Sequence, residues 1–101
     1  MKRTLITLAM TLSVAAPAMA DLALATSKNC MACHAVDKKL VGPSYKDVAA
    51  KYADQADAKD QLIQSIRQGS KGKWGQMAMP PQAQLSVGDA QKLALWVLKT
   101  K

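Results

Sequence analysis

Cys30-Met31-Ala32-Cys33-His34 constrains what this chain can fold into more than any other stretch. Two thiols three positions apart, followed at once by an imidazole, make the C-x-x-C-H pattern of covalent c-type haem attachment. The thiols can add across the two haem vinyl groups to form thioethers. Their spacing suits two sites on one edge of the porphyrin when the backbone winds through a helical turn. His34 is then carried beneath the ring, where it can bind iron from the proximal side. It is the only histidine in the chain, so no other imidazole competes for that role. The plainer alternatives are a local disulfide or a thioredoxin-like redox pair, but the latter needs a βαβ setting that the sequence does not offer.

The N-terminus agrees with this reading. Met1-Lys2-Arg3 is a short basic region, Leu5 to Val14 an apolar run, and Ala18-Met19-Ala20 a small-x-small site, the three parts of a secretory signal. The apolar run falls short of the roughly 20 residues a spanning helix needs, and Pro17 interrupts its end. Residues 1–20 are therefore expected to be cleaved, leaving a mature domain at 21–101, exported and without stable membrane insertion. Bacterial c-type haem is attached after export, so compartment and cofactor agree.

The mature domain has 81 residues, lacks phenylalanine, and has Tyr45, Tyr52, Trp74 and Trp96 as its only aromatics. A chain of this size has little core of its own and usually needs a staple. A covalently held porphyrin would provide it, so the apo-protein is expected to fold poorly.

Removing Lys2 and Arg3 from the fourteen basic residues leaves twelve against seven aspartates, a formal charge of +5 before haem. Lys28, Lys38, Lys39, Lys46, Lys71 and Lys73 fall near segments expected to border the haem. Such a rim would steer the protein to acidic docking surfaces on redox partners. For any single lysine, ordinary surface solvation explains it as well. Export and the lack of any nucleic-acid motif argue against nucleic acid as a partner.

The periodicity is helical throughout. Leu22 to Asn29 reads as a short helix capped by Asp21, and Gly42-Pro43 marks a turn within a loop over residues 36–44. Tyr45 to Tyr52 is a second helix, with Tyr45, Val48, Ala49 and Tyr52 on one side. Residues from 57 or 58 through Gln68 form a third, with Leu62, Ile63 and Ile66 on one face and Gly69 as its stop. Ser86 caps a last helix, with Asp89 three residues on, and Ala90, Leu93, Ala94 and Val97 line its inner side. No strand pattern occurs, which makes this an all-α domain.

Residues 69–85 form a long Gly- and Pro-rich loop, unusual in so small a domain without a functional reason. It holds Met77 and Met79. A thioether is a soft neutral iron ligand, and Pro80-Pro81 would stiffen the backbone directly after Met79. That favours Met79 over Met77, with gap-filling core methionines as the alternative.

Taken together, the run NCMACHAVDKKLVGPSYKDVAAKYA, the GSKGKWG turn, the MPP segment and the ending AQKLALWVLKTK resemble the small monohaem cytochromes of the cytochrome c-551 (cytochrome c8) type, across nearly the whole mature chain. The resemblance implies a class I cytochrome c fold of about four short helices around one haem c. Cys30 and Cys33 would hold the haem, His34 would be the proximal ligand and Met79 the distal one. Pro43 matches a proline whose carbonyl accepts the His34 Nδ1–H, and Trp74 a tryptophan that hydrogen-bonds a haem propionate. Two positions depart from the pattern. Gln82 stands where relatives often have an asparagine near the methionine sulfur. Ser65 stands where a propionate-associated arginine would fall, and Arg67 is no obvious substitute.

These features point to a periplasmic, monomeric electron carrier and not an enzyme. Donors and acceptors of the implied class are a quinol-oxidising cytochrome complex upstream and a nitrite reductase, oxidase or peroxidase downstream. A gas sensor or small peroxidase with a displaceable Met79, or a bound subunit of a larger oxidoreductase, are the competing readings.

Overall fold

Ser44 and Ser86 start two helices by the same device. The Oγ of Ser44 accepts the Asp47 N–H at 3.1 Å, and that of Ser86 accepts the Asp89 N–H at 3.1 Å. Each bond satisfies one of the donors that a helix leaves unpaired in its first turn. The structure, a computed structural model, describes residues 16–101, with side chains from Asp21 onward. The expected signal segment before Ala16 lies outside the described residues. Four α-helices follow in order: α1 (Ala16–Ser27), α2 (Tyr45–Tyr52), α3 (Ala58–Gln68) and α4 (Val87–Leu98), with a 3-10 turn at Cys30–Ala32 between the first two. Among the described residues there is no strand, and an isolated antiparallel bridge joins Ser70 to Met79.

The bounds of α2, α3 and α4 agree with the sequence pattern because each carries local start or stop signals. In α3 the stop is Gly69, whose φ of 80° is costly for any residue with a Cβ. The first helix differs from expectation at both ends. It was expected from Leu22 with Asp21 as cap, but α1 begins at Ala16, and Asp21 lies within it. In the intact chain, residues 16–20 continue the helix and remove any need for a cap at Asp21. At the other end, α1 stops at Ser27 and not Asn29, because Asn29 adopts a left-handed conformation (φ 63°). Asparagine tolerates that region better than most residues. This reversal delivers Cys30 directly into the 3-10 turn.

The packing centres on α4, which lies against α1, α2 and α3. Its inner side is Ala90, Leu93, Ala94 and Val97, all buried, and the two alanines at i, i+4 allow close helix approach. One apolar cluster joins Tyr45, Val48 and Tyr52 of α2 to Ala58 and Leu62 of α3 and to Ala94 and Val97. A second joins Ala25 of α1 to Leu93 and Leu85. Met31, Ile66 and Trp96 pack against both. Ile63 and Ile66 are only partly buried, while Ser65, between them and Leu62 in the helical pattern, is buried.

Leu85 is 2% exposed. Leu85→Ala is expected to cost about 2–5 kcal/mol, whereas Ser86→Ala, which removes only the cap, should cost about 1 kcal/mol. Chemical denaturation of the mature, cofactor-loaded protein checks both. Equal losses would show that the junction before α4 is not part of the core.

Candidate cofactor site

The attachment turn is tight. The Cys33 and His34 N–H groups both donate to the Cys30 carbonyl, at 3.2 and 3.0 Å. Cys30 and Cys33 are both free thiols, half-buried, and both border one cleft of about 340 Å³. That volume falls within the usual range for small-molecule and cofactor sites. Apolar side chains from three helices complete the walls: Val48 from α2, Leu62 and Ile66 from α3, Leu93 and Val97 from α4. Burial pushes the Cys30 thiol above its ordinary value, partly offset by hydrogen bonds from its own backbone and Tyr45. Burial, with smaller contributions from Cys30 and Cys33, likewise pushes the Tyr45 hydroxyl up.

His34 is fixed on several sides. Its Nδ1 lies 2.8 Å from the Pro43 carbonyl oxygen. A carbonyl can only accept, so Nδ1 carries the hydrogen and Nε2 keeps a free lone pair, the form a metal binds. The ring stacks on Tyr45 with centroids 4.9 Å apart and planes 19° from parallel. Tyr45 in turn meets the edge of Trp96 at 5.3 Å. The loop bearing Pro43 is tied back to the attachment turn, Gly42 N–H donating to the Cys33 carbonyl at 2.7 Å and Tyr45 N–H to that of Ala35 at 3.0 Å.

In the sequence Gly42 reads only as a turn residue, yet in the fold it has a sharper role. A Cβ built there would lie 2.5 Å from His34 Cε1 and 2.9 Å from Nδ1. The imidazole occupies the space of the missing side chain. A contact between residues eight apart in a loop leaves no periodic signal to read.

The long loop is anchored near its middle. Ser70 and Met79 exchange both backbone hydrogen bonds, at 3.1 and 2.9 Å, and the Gln82 N–H donates to the Ile66 carbonyl of α3 at 2.8 Å. A Cβ at Gly69 would come within 2.7 Å of the Met79 carbonyl oxygen, so the glycine permits this close approach. Met77 and Met79 both border the cleft, but Met77 is 66% exposed while Met79 is half-buried. The Gln82 side-chain amide donates to the Pro80 carbonyl at 3.3 Å.

Of the six lysines expected at the rim, Lys28, Lys39 and Lys73 border the cleft, and Lys38, Lys46 and Lys71 do not. Trp74 is half-buried against it, with the Lys51 ammonium 4.5 Å above its ring. Arg67 points elsewhere, its Nε donating to the Leu85 carbonyl at 3.3 Å. The donor set therefore fits a haem c: two thiols and an imidazole with a free Nε2 on one turn, a thioether on the loop, and apolar walls between.

Comparison with known proteins agrees. The family model for cytochrome c matches residues 22–101. The chain is 52% identical over 90 residues to cytochrome c-552 of Nitrosomonas europaea, covering 89% of this chain and 87% of that protein. It is 57% identical over 75 residues to cytochrome c-551 of Pseudomonas aeruginosa, covering 74% and 71%. Among solved structures, the crystal structure of wild-type Nitrosomonas europaea cytochrome c552 superposes with a TM-score of 0.77 at 51% identity, over 79% of this chain and 99% of that one. The class 1 cytochrome MtoD from Sideroxydans lithotrophicus ES-1 gives 0.70 at 36% identity, over 81% and 94%.

Gly42→Ala is expected to destabilise the loaded protein by about 1–3 kcal/mol through overpacking against the imidazole. Gly88→Ala is the control. Its Cβ would come no closer than 4.0 Å to the Ser86 Oγ, and inside a helix the change should stabilise by about 0.5–1 kcal/mol. Thermal unfolding of both variants decides, and similar responses would remove the packing role assigned to Gly42.

Proposed function

The chain belongs to the cytochrome c family, carries one covalently bound haem c and is a small electron carrier, and on that premise we propose that it shuttles single electrons in the periplasm through a His34/Met79-ligated haem. Residues 1–20 are removed on export and residues 21–101 form the working domain, a monomer. Among the described residues no helix is long and apolar enough to cross a membrane.

The haem, when bound, supplies one-electron redox chemistry with a potential set by its axial ligands and surroundings. The protein's part is to hold it and to limit what else can happen there. Cys30 and Cys33 provide the thioether links. His34 would offer Nε2 to the iron, with Pro43 holding its proton on Nδ1 and its ring at a fixed angle. Met79 would offer its thioether sulfur as the second iron ligand, and Trp74 would donate to a propionate. The observation that carries the reading is the Nδ1 contact with the Pro43 carbonyl at 2.8 Å, on a residue that borders the same cleft as both thiols and Met79. Met79 is favoured over Met77 by its lower exposure and its paired backbone bonds with Ser70. With His34 and Met79 both holding the iron, the site would leave no position for a substrate and would need little rearrangement on electron transfer.

The basic residues at the cleft mouth, Lys28 and Lys39 among them, support docking to acidic surfaces on redox partners. The expected donor is a quinol-oxidising cytochrome complex, and the acceptor a nitrite reductase, oxidase or peroxidase.

Optical spectra of the haem-matured protein test the ligation. The oxidised protein should show the weak far-red iron–thioether band and neither oxidation state should respond to CO. Met79→Ala should lose the band and bind CO, whereas Met77→Ala should keep both properties of the parent. A parent that binds CO readily would replace the shuttle with a gas sensor or a small peroxidase. Docking by charge makes a second prediction. Electron transfer to an acidic partner should slow at least tenfold between roughly 0.01 and 0.5 M salt, and a flat salt profile would favour a permanently bound subunit.

A further inference from the structure

Six large apolar side chains stand exposed among the described residues, and two of them, Val41 and Met77, border the cleft. Val41 comes from the loop that holds Pro43, and Met77 from the long loop, two residues before Met79. At 66% exposure Met77 is the most open of the six, and its chain neighbours Gln76 and Ala78 are exposed as well. Lys28, Lys39 and Lys73 border the same opening. The mouth thus combines apolar contact points with positive charge, a composition that suits an acidic protein partner.

Three methionines belong to residues 21–101, and their surroundings differ. Met31 packs against both apolar clusters. Met79 is half-buried, its backbone is clasped to Ser70, and on the proposed ligation its sulfur lone pair is committed to the iron. Met77 has neither protection. Thioether oxidation follows access to the sulfur, and it turns a flexible apolar side chain into a polar one. We propose that Met77 is a peroxide-oxidised site, converted to the sulfoxide ahead of Met31 and Met79. The sulfoxide slows electron exchange with acidic partners and leaves the iron ligation as it was. The proposal rests on the haem-carrier reading above.

In the oxidation, the Met77 sulfur donates a lone pair to one oxygen of hydrogen peroxide. An S–O bond forms and the O–O bond breaks. The proton on the transferred oxygen passes to the departing hydroxide, which leaves as water. Sulfur loses two electrons and peroxide gains them. The product is neutral, and the loop keeps its other ties. These are the Ser70–Met79 clasp, the Lys73 ammonium donating to the Ser65 hydroxyl at 3.2 Å, and Lys51 donating to the Lys73 carbonyl at 2.8 Å. What changes is the contact a partner meets. Burying a sulfoxide oxygen against an apolar partner face without a donor carries a penalty that burying a thioether does not. Steering by the lysines persists, so the loss falls on close contact and not on encounter.

The test treats the haem-matured parent, Met77→Leu and Met77→Gln with dilute hydrogen peroxide and locates added oxygen by mass spectrometry of tryptic peptides. Cleavage after Lys73 and Lys92 leaves Met77 and Met79 in one peptide, and fragmentation tells them apart. Oxygen should enter Met77 at least about fivefold faster than Met79 or Met31. Stopped-flow transfer to an acidic blue-copper protein should then slow about threefold to tenfold with an unchanged salt slope. Transfer to hexacyanoferrate, a small ion that needs no apolar contact, should hold its rate. Met77→Leu should keep its blue-copper rate through the treatment, and Met77→Gln should be slow without it. Equal or faster oxidation at Met79 or Met31 would overturn the site. An unchanged blue-copper rate in protein oxidised at Met77 would overturn its effect on docking. Spectra of every sample keep the carrier reading separate: an iron–thioether band missing before treatment, or haem bleached by the same dose, would show an open iron and sink that reading itself.

Discussion

One hydrogen bond, from His34 Nδ1 to the Pro43 carbonyl, joins the part of the chain that would carry the metal to the part that packs the helices. It spans nine residues, and the same loop hands its next backbone groups to the attachment turn and to α2. The imidazole that results is no free side chain. It lies in the space where Gly42 has no Cβ and against the face of Tyr45, which itself abuts Trp96 on α4. A shift in how α2 sits on α4 would therefore be felt at the ring nitrogen. Core and site share residues in a domain too small to keep them apart.

That sharing explains an otherwise thin interior. Without phenylalanine, and with alanines at five of the twelve buried apolar positions, the helices meet closely along α4 but leave a cleft between α2, α3 and the loop. The walls of that cleft are the same side chains that form the larger apolar cluster: Val48, Tyr52, Leu62 and Val97. A flat, rigid, apolar macrocycle bonded to two side chains at one edge completes this arrangement more cheaply than extra chain could, because its internal conformation has little entropy to lose.

What the sequence discloses here is what depends on near neighbours. The limits of α2 and α4 follow from Ser44 and Ser86, that of α3 from Gly69, and the attachment turn from five consecutive residues. What it hides depends on residues distant in the chain. Gly42 reads as a turn former until the imidazole is placed beside it. Ser65 reads as the loss of a charged group, and only the folded loop reveals a lysine ammonium resting on its hydroxyl. The helix across Asp21 differs for another reason: the expected cap belongs to a chain cut at that point, whereas the intact chain keeps winding.

The clasp between Ser70 and Met79 has a consequence for how the molecule breathes. It is a single bridge, aided by the Gln82 hydrogen bond to α3 and by the contacts of Lys51 with the Lys73 carbonyl and the Trp74 ring and of Lys73 with Ser65, and between its two ends only Trp74 packs against the larger apolar cluster. Segments tethered this way open as separate cooperative units, at a free energy below that of global unfolding. On the proposed ligation, the ease with which the sixth iron position is vacated is then a property of this local latch. Substitutions at Gly69 or Ser70 can therefore change ligand lability while leaving the helical frame largely in place.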